Sequence, residues 1–266
     1  MYIYDMSIFS NHLVLTILAG FLGTGISAQI PQRVATKEHV FQHEEQQATQ
    51  NQIMLVNEQF NVLYFIYSDL SGSKLICSDF KSNILYRGPI DKDLSSIWYN
   101  TKAKKLQGIR KNDAGRFEIS INEKGIPSGT KYINEQGKPA DTNNVHYVNM
   151  NDSLLAGFNN SEICITGIES ENLKNRIPIP AIPGAIENIN RRIIAYTGIR
   201  DYEFAFFDYF EGKIYYTDLN GKFTGTTLLP NDATESAVSG MAYFNGQIWL
   251  FEPEKNQWQA YRIITQ

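Results

Sequence analysis

QGIRKND (107–113), AGFNNSE (156–162) and TGIRDYE (197–203) are three versions of one segment, in which a Gly is followed by Ile or Phe and then by Arg or Asn. Each version leads into a run of residues that favours a β-strand: RFEIS (116–120), EICIT (162–166) and EFAFF (203–207). Around these segments, apolar runs joined by short turns recur five times, about every 40 to 55 residues. A period of this length, built from strands, predicts a β-propeller.

The apolar pattern of the predicted strands supports stacked blades. YFI (64–66), IIAY (193–196) and IWLF (248–251) are apolar at every position, as expected for strands that are buried on both faces. A two-sheet sandwich would keep one polar face on each strand. The dipeptides Asn-Gly (220–221 and 245–246) and Glu-Gly (211–212) fit hairpin turns between apolar runs. We therefore predict an all-β fold, a single propeller of antiparallel strands with five blades, or six if residues 203–229 are divided between two.

The third and fourth repeats show how the apolar runs divide into strands. The third supplies only three runs, which are 144–152, 153–159 and 162–169. The fourth supplies GAIENIN (184–190), RRIIAYTG (191–198), EFAFFDYFEG (203–212) and KIYYTDLNGKF (213–223). We take these runs as the strands of their blades.

The predicted domain organisation has three parts: a signal peptide (1–28), a polar N-terminal segment (29–52) and the propeller (53–266). The chain ends in an apolar run, IIT (263–265). Because a propeller hides its strand edges by closing the ring, we expect the last strands to pair with a strand from the N-terminal segment.

The N-terminus predicts export to the periplasm or the exterior. Residues 6–32 contain no Lys, Arg, Asp or Glu, and the apolar stretch 13–21 is followed by small residues that end at Ala28. The alternative is a membrane anchor, for which the stretch is short of the ~20 residues that a spanning helix needs. The segment before it carries Asp5 and no Lys or Arg, which is unusual for a signal peptide. We expect no membrane span after cleavage.

Composition restricts the partners only weakly. The 24 basic and 28 acidic residues leave a net charge of −4, and no basic face stands out, which argues against nucleic acid. The sequence holds no phosphate-binding loop, dinucleotide fingerprint or nucleophile elbow, so we expect no cofactor. The two cysteines, Cys77 and Cys164, occupy similar places in non-adjacent repeats, too far apart for a disulfide, and are predicted to be buried free thiols.

One repeat resembles a known class of propeller. GKIYYTDLNGKF (212–223) is similar to a repeat of the NHL and YWTD classes, in which a strand ends in an Asp before a Gly turn, and FNGQIWLFEPEKNQW (244–258) has the same layout. The resemblance covers 53–266 as a style of repeat. It implies a protein that binds proteins, glycans or small ligands, although some members of these classes are enzymes.

The candidate binding residues come from loops that a propeller would place on one face. Arg110 and Arg200 occupy the same position in the repeated segment, and two guanidinium groups near one axis could hold a carboxylate, a phosphate or a sugar acid. The alternative is that each arginine pairs with a local acid and fixes its own loop. The full predicted set is Arg110, Arg200, Asp113, Asp201, Asp69 and Glu252.

The function predicted from these residues is a binding module for a protein or a glycan, and its oligomeric state is not determined by the sequence. An alternative is a glycosidase-like hydrolase in which loop carboxylates act as acid and base in an axial pocket. Carboxylates of the same set could also hold Ca²⁺, but no ligand spacing supports a metal site. A third possibility is a ring that only positions partners in an assembly. We assign no catalytic residue.

Histidines and tryptophans receive structural interpretations. His39 and His43 have the spacing of two metal ligands on a helical turn, but their polar segment favours solvated side chains. His146 is predicted to be a hydrogen-bonded structural residue. Trp98 and Trp249 are expected in the core, and Trp258, which alternates with Gln, is expected to be half exposed.

Overall fold

The computed structural model describes residues 32–42, 52–69, 72–90, 94–110, 115–133, 146–159, 162–169, 173–179, 194–233 and 240–264, all within the compact unit Gln32–Gln266. These residues form twenty strands. The strands are β1 (Gln32–Gln42), β2 (Ile53–Asn57), β3 (Val62–Asp69), β4 (Gly72–Asp79), β5 (Ile84–Ile90), β6 (Leu94–Asn100), β7 (Lys105–Arg110), β8 (Arg116–Ile121), β9 (Pro127–Ile133), β10 (Tyr147–Asn149), β11 (Leu154–Asn159), β12 (Glu162–Gly167), β13 (Leu173–Pro178), β14 (Ala195–Tyr196), β15 (Phe204–Asp208), β16 (Lys213–Thr217), β17 (Phe223–Leu228), β18 (Met241–Phe244), β19 (Gln247–Glu252) and β20 (Gln257–Ile264).

The strands form a five-bladed propeller, which confirms the predicted fold. Blades 1 to 3 are separate four-stranded antiparallel sheets, β2–β5, β6–β9 and β10–β13. Blade 4 is β14–β17, and blade 5 consists of β18, β19, β20 and β1. The innermost strands β2, β6, β10, β14 and β18 contact one another in sequence around a ring. The described residues contain no helix, and therefore none that could span a membrane.

The N-terminal strand closes the ring, as expected from the strand at the end of the chain. β1 runs antiparallel to β20 from Val34, opposite Ile264, to Gln42, opposite Gln257. Its first three residues also pair in parallel with the end of β17, at Thr226–Leu228. The outermost strand of blade 5 therefore comes from the opposite end of the chain from the other three strands of that blade. The predicted signal peptide (1–28) and His43 lie outside the described residues, as does 184–190, a predicted strand of the fourth repeat.

The core consists of the aromatic and aliphatic side chains between neighbouring blades. Trp98 is fully buried and Trp249 is 7% exposed, which confirms their predicted place in the core. The prediction for Trp258 was wrong, because this side chain is 0% exposed. β1 covers it: Phe41 is its register partner, and the rings of Phe65 and Phe251 lie beside it. Trp258 alternates with glutamines in the sequence, and it is nevertheless buried because β1, which is distant in sequence, packs over it.

The two cysteines are buried free thiols, as predicted. Cys77 lies on β4 and Cys164 on β12, the third strands of blades 1 and 3. Burial raises the pKa of the Cys77 thiol to about 12. A thiol with this pKa is protonated and inert at neutral pH.

A turn between the third and fourth strands recurs in three blades. Asp79, Asn122 and Asp218 each end or follow a third strand, and in each case Oδ1 accepts hydrogen bonds from the backbone N–H groups two and four residues later. This is the position of the Asp before a Gly turn in the repeat that resembles the YWTD class. The repeated side-chain cap explains why an Asp or Asn recurs at this place.

The strand directions define two faces of the ring. Turns between the first and second strands and between the third and fourth strands of a blade lie on one face, which we call the back face. Turns between the second and third strands lie on the opposite face, which we call the front face. In blade 4, for example, 197–203 and 218–222 belong to the back face and 209–212 to the front face.

Candidate functional site

Three of the predicted binding residues end second strands and therefore lie at the front face. They are Asp69 at the end of β3, Arg110 at the end of β7 and Glu252 at the end of β19. The side chains of Asp69 and Arg110 are not among the described parts of the structure, and Asp113 lies outside the described residues. The front face thus brings together the strand ends that carry these three residues, one each from blades 1, 2 and 5.

The other two predicted residues lie on the back face, not on the front face with Arg110. Arg200 and Asp201 belong to the turn between β14 and β15, the first and second strands of blade 4. Arg110 instead ends β7, the second strand of blade 2, at the front face. The Arg200 side chain is 94% exposed, and its Nε lies 3.9 Å from Oδ2 of Asp201. This loose local pair matches the alternative in which the arginine interacts with its own loop.

The different placement of Arg200 has a clear cause in the repeated segment. Gly108 and Gly157 occupy the fourth position of β7 and β11, inside the second strands of blades 2 and 3. Gly198 instead lies beyond β14, with a φ of 67° that suits a turn. The similarity of TGIRDYE to the other two segments is therefore local and does not reflect an equivalent place in the blade.

Glu252 is a buried structural carboxylate of blade 5. Its side chain is 2% exposed and accepts three hydrogen bonds: from Lys255 Nζ at 2.9 Å, from Gln257 Nε2 at 2.8 Å and from the Tyr261 hydroxyl at 3.2 Å. The bond to Glu252 raises the pKa of Lys255. The network fixes the front-face turn between β19 and β20, because the acceptor ends β19 and the donors come from the turn and from β20.

The front-face turn of blade 4 carries an aromatic pair that the sequence reasoning did not single out. Phe210 is 65% exposed, the largest value for a bulky hydrophobic side chain among the described residues. Its ring centroid lies 4.2 Å from that of Tyr209, at an interplanar angle of 32°. Asp208 Oδ1 holds the turn by accepting hydrogen bonds from the N–H groups of Phe210 and Glu211. The signal in the sequence was the pair Tyr-Phe directly before Glu-Gly.

Charged and polar groups surround this aromatic pair. Lys213 Nζ lies 2.6 Å from Glu211 Oε2, and the Tyr215 hydroxyl donates to the same oxygen at 2.9 Å. These two bonds, from Lys213 first, lower the pKa of the Glu211 carboxyl. The turn therefore presents a solvent-exposed ring, and an ion pair of opposite charges follows it directly in the chain.

A cavity of about 110 Å³ lies on the axis of the ring. It is lined by consecutive residues of the innermost strands: 53–56, 146–149, 195–196 and 241–243, with Ile97. Consecutive residues line it because each innermost strand pairs on one edge only and turns its other edge toward the axis. None of the described lining residues is Asp, Glu, Lys or Arg.

His146 is the ionisable imidazole of this cavity, and its prediction as a hydrogen-bonded structural residue is confirmed. The side chain is 8% exposed, and Nδ1 lies 3.1 Å from the carbonyl oxygen of Ser95. A carbonyl oxygen only accepts, so Nδ1 carries the hydrogen and Nε2 has a free lone pair. Burial lowers the pKa of His146. The imidazole is therefore neutral at pH 7.

The buried His146 predicts a loss of stability in mild acid. Because the folded state holds a lowered pKa, the unfolded chain binds more protons once the pH falls toward the ordinary value of about 6.5. The wild type should therefore lose more stability than His146→Asn between about pH 7.5 and about pH 5.5 in urea unfolding. A stability difference between the two proteins that does not change with pH would contradict this.

The described residues contain no cluster of three or more metal-ligating side chains. The predicted alternative of a Ca²⁺ site thus has no geometry in the described part of the chain to support it. His39 lies on β1, and its side chain is not among the described parts of the structure.

Comparison with known proteins shows a fold and no family. No family model and no curated protein matches the chain. Among solved structures, it is similar to the glutaminyl cyclase of Myxococcus xanthus, with a TM-score of 0.56 and 11% identity over 89% of this chain and 100% of that one. A second similar structure is the β-propeller domain of Cps50 (Swd1) from Myceliophteria thermophila, with a TM-score of 0.40 and 10% identity over 81% of this chain and 64% of that one. A third is a Bacteroides thetaiotaomicron protein of unknown function, with a TM-score of 0.44 and 11% identity over 79% of this chain and 58% of that one. At these identities the likeness concerns the propeller fold alone.

Proposed function

We propose that this propeller is a binding module whose front face recognises a protein or a glycan, with Phe210 as the anchor. The observation that carries the proposal is the 65% exposure of Phe210 at the tip of a front-face turn. An aromatic ring of this kind covers apolar surface on a protein or stacks on the apolar face of a sugar. Tyr209 packs beneath it and limits the rotamers that binding would have to freeze.

The surroundings of Phe210 fit the usual composition of a binding surface. A central aromatic residue is commonly surrounded by polar groups that set orientation and specificity. Glu211 and Lys213 provide such groups next to the ring, and each is about one-third exposed. Asp69 and Arg110 end strands at the same face, in blades 1 and 2, whereas Glu252 is buried within blade 5.

The proposal predicts a binding defect without a folding defect. In a screen of the full chain against a glycan array and a displayed peptide library, Phe210→Ala should weaken the selected ligand at least about tenfold, as expected when a central anchor is truncated. Leu219→Ala is the matched control, because Leu219 is 44% exposed in a back-face turn of the same blade. Equal loss in both variants, or no loss in Phe210→Ala, would contradict a front-face anchor.

The geometry favours binding over the alternative of a hydrolase. A glycosidase of the predicted kind needs two carboxyl groups that face each other across the substrate. The described residues that line the axial cavity include no carboxylate, and Glu252 is held by three donors within its own blade. These observations support a binding module rather than a glycosidase-like hydrolase.

We further propose that the protein acts after export, in the periplasm or outside the cell. The support is the uncharged segment 6–32 with its apolar stretch and small residues before Gln29. The mass of the chain recovered from an exporting host tests this: loss of residues 1–28 is expected, and an intact N-terminus would contradict it.

A further inference from the structure

We propose that the axial cavity is a second binding site, which takes a small neutral molecule or the neutral end of a larger one by accepting a hydrogen bond at Nε2 of His146. The site uses the innermost strands and shares no residue with the turn around Phe210. It is thus independent of the proposed front-face surface, and either could fail without the other.

The size of the cavity limits the ligand. A volume of about 110 Å³ corresponds to three or four water molecules at about 30 Å³ each. This leaves room for a group of roughly four to six non-hydrogen atoms. Such a space suits a small molecule or one end of a larger one.

The lining determines that the ligand is uncharged. The described lining combines apolar side chains, such as Ile53 and Met241, with the amide of Asn149 and the imidazole of His146. No described lining residue carries a formal charge, and an ion placed there would lose its hydration without gaining a partner.

His146 determines that the ligand is a hydrogen-bond donor. The bond from Nδ1 to the Ser95 carbonyl fixes both the ring orientation and the tautomer, and the neighbouring Ser96 Oγ accepts a bond from the Tyr147 N–H at 2.7 Å. Nε2 therefore presents a lone pair, and it has no hydrogen-bond partner among the described residues. A hydroxyl or a carboxamide N–H would supply the missing donor.

Three probes of almost the same shape separate these requirements. Acetamide, acetone and acetate each have four non-hydrogen atoms, but only acetamide combines neutrality with an N–H donor. We expect saturable shifts of the Ile53 and Met241 methyl signals of the full chain with acetamide. Acetone should bind at least about fivefold more weakly, since it leaves Nε2 unpaired, and acetate should give no saturable shift.

The variant His146→Phe tests the role of the imidazole. It should weaken acetamide binding to the level of acetone, whereas His39→Phe on the outermost strand β1 should leave it unchanged. If His146→Phe does not fold, the comparison of acetamide with acetone on the wild-type chain still tests whether the ligand donates a hydrogen bond to Nε2. Equal binding of acetamide and acetone, tighter binding of acetate, or no saturable shift with any probe would overturn the proposal and leave a cavity that holds water only.

Discussion

Replacing Phe41 by Ala is expected to lower the free energy of unfolding by about 3–5 kcal/mol, the usual cost of truncating a buried Phe. Phe41 lies near the end of β1, is 5% exposed and stacks on Phe65 with ring centroids 4.5 Å apart. It is also the register partner of Trp258 on β20. The substitution therefore removes packing at the seam where the N-terminal strand closes the ring. Urea unfolding followed by tryptophan fluorescence measures the loss.

Val40→Ala is the matched control for this experiment. Val40 is the preceding residue on β1 and is 51% exposed, so its truncation should change the unfolding free energy by less than about 0.5 kcal/mol. Similar small effects for both variants would mean that β1 does not cover Trp258 in solution. The closure of the ring by the N-terminal segment would then be wrong.

Gly108→Ala is expected to destabilise the protein by about 1–3 kcal/mol, because the new methyl group overpacks a filled site. A Cβ at this position would overlap the backbone carbonyl oxygen of Ser96 and the ring of Phe117. The carbonyl belongs to β6, which pairs with β7 on one side, and Phe117 belongs to β8 on the other. Neither neighbour can move without disturbing the sheet of blade 2. Thermal unfolding measures the effect.

Gly129→Ala provides the opposite expectation in the same blade. Gly129 lies on β9, and nothing lies within 4 Å of a Cβ built there. Because Ala restricts the unfolded chain more than Gly does, this substitution should be neutral or stabilise by up to about 1 kcal/mol. A result in which both variants lose the same stability would show that Gly108 is not specially confined.

The sequence predicted the strands that are buried on both faces, because their own residues are almost all apolar. β15 and β19 are buried at every position, and their runs FAFFD and QIWLFE are almost continuously apolar. The Asn-Gly turn at 245–246 was also predicted, since both residues adopt positive φ values of 51° and 75° that these residue types tolerate. Local residue type was sufficient in these cases because the structural requirement is itself local.

One outer strand was missed for the opposite reason. β13 has the sequence LKNRIP and buries only Ile177. An outermost strand has no blade beyond it, so its sequence carries little apolar signal. β14 (Ala195–Tyr196) lies within the predicted run RRIIAYTG (191–198), but this run was counted as the second strand of its blade. Because 184–190 was taken as the first strand, Gly198 and Arg200 were placed one strand too far along the blade.

The sequence by itself determined the all-β fold, the five repeats, the buried cysteines and the need for a closing strand, because each follows from periodicity or from residue type. Only the tertiary structure decided which face each loop residue occupies, that β1 buries Trp258, and that five strand edges enclose an axial cavity beside His146. These features depend on contacts between residues from different blades. Such contacts have no signature in the order of residues along a single strand.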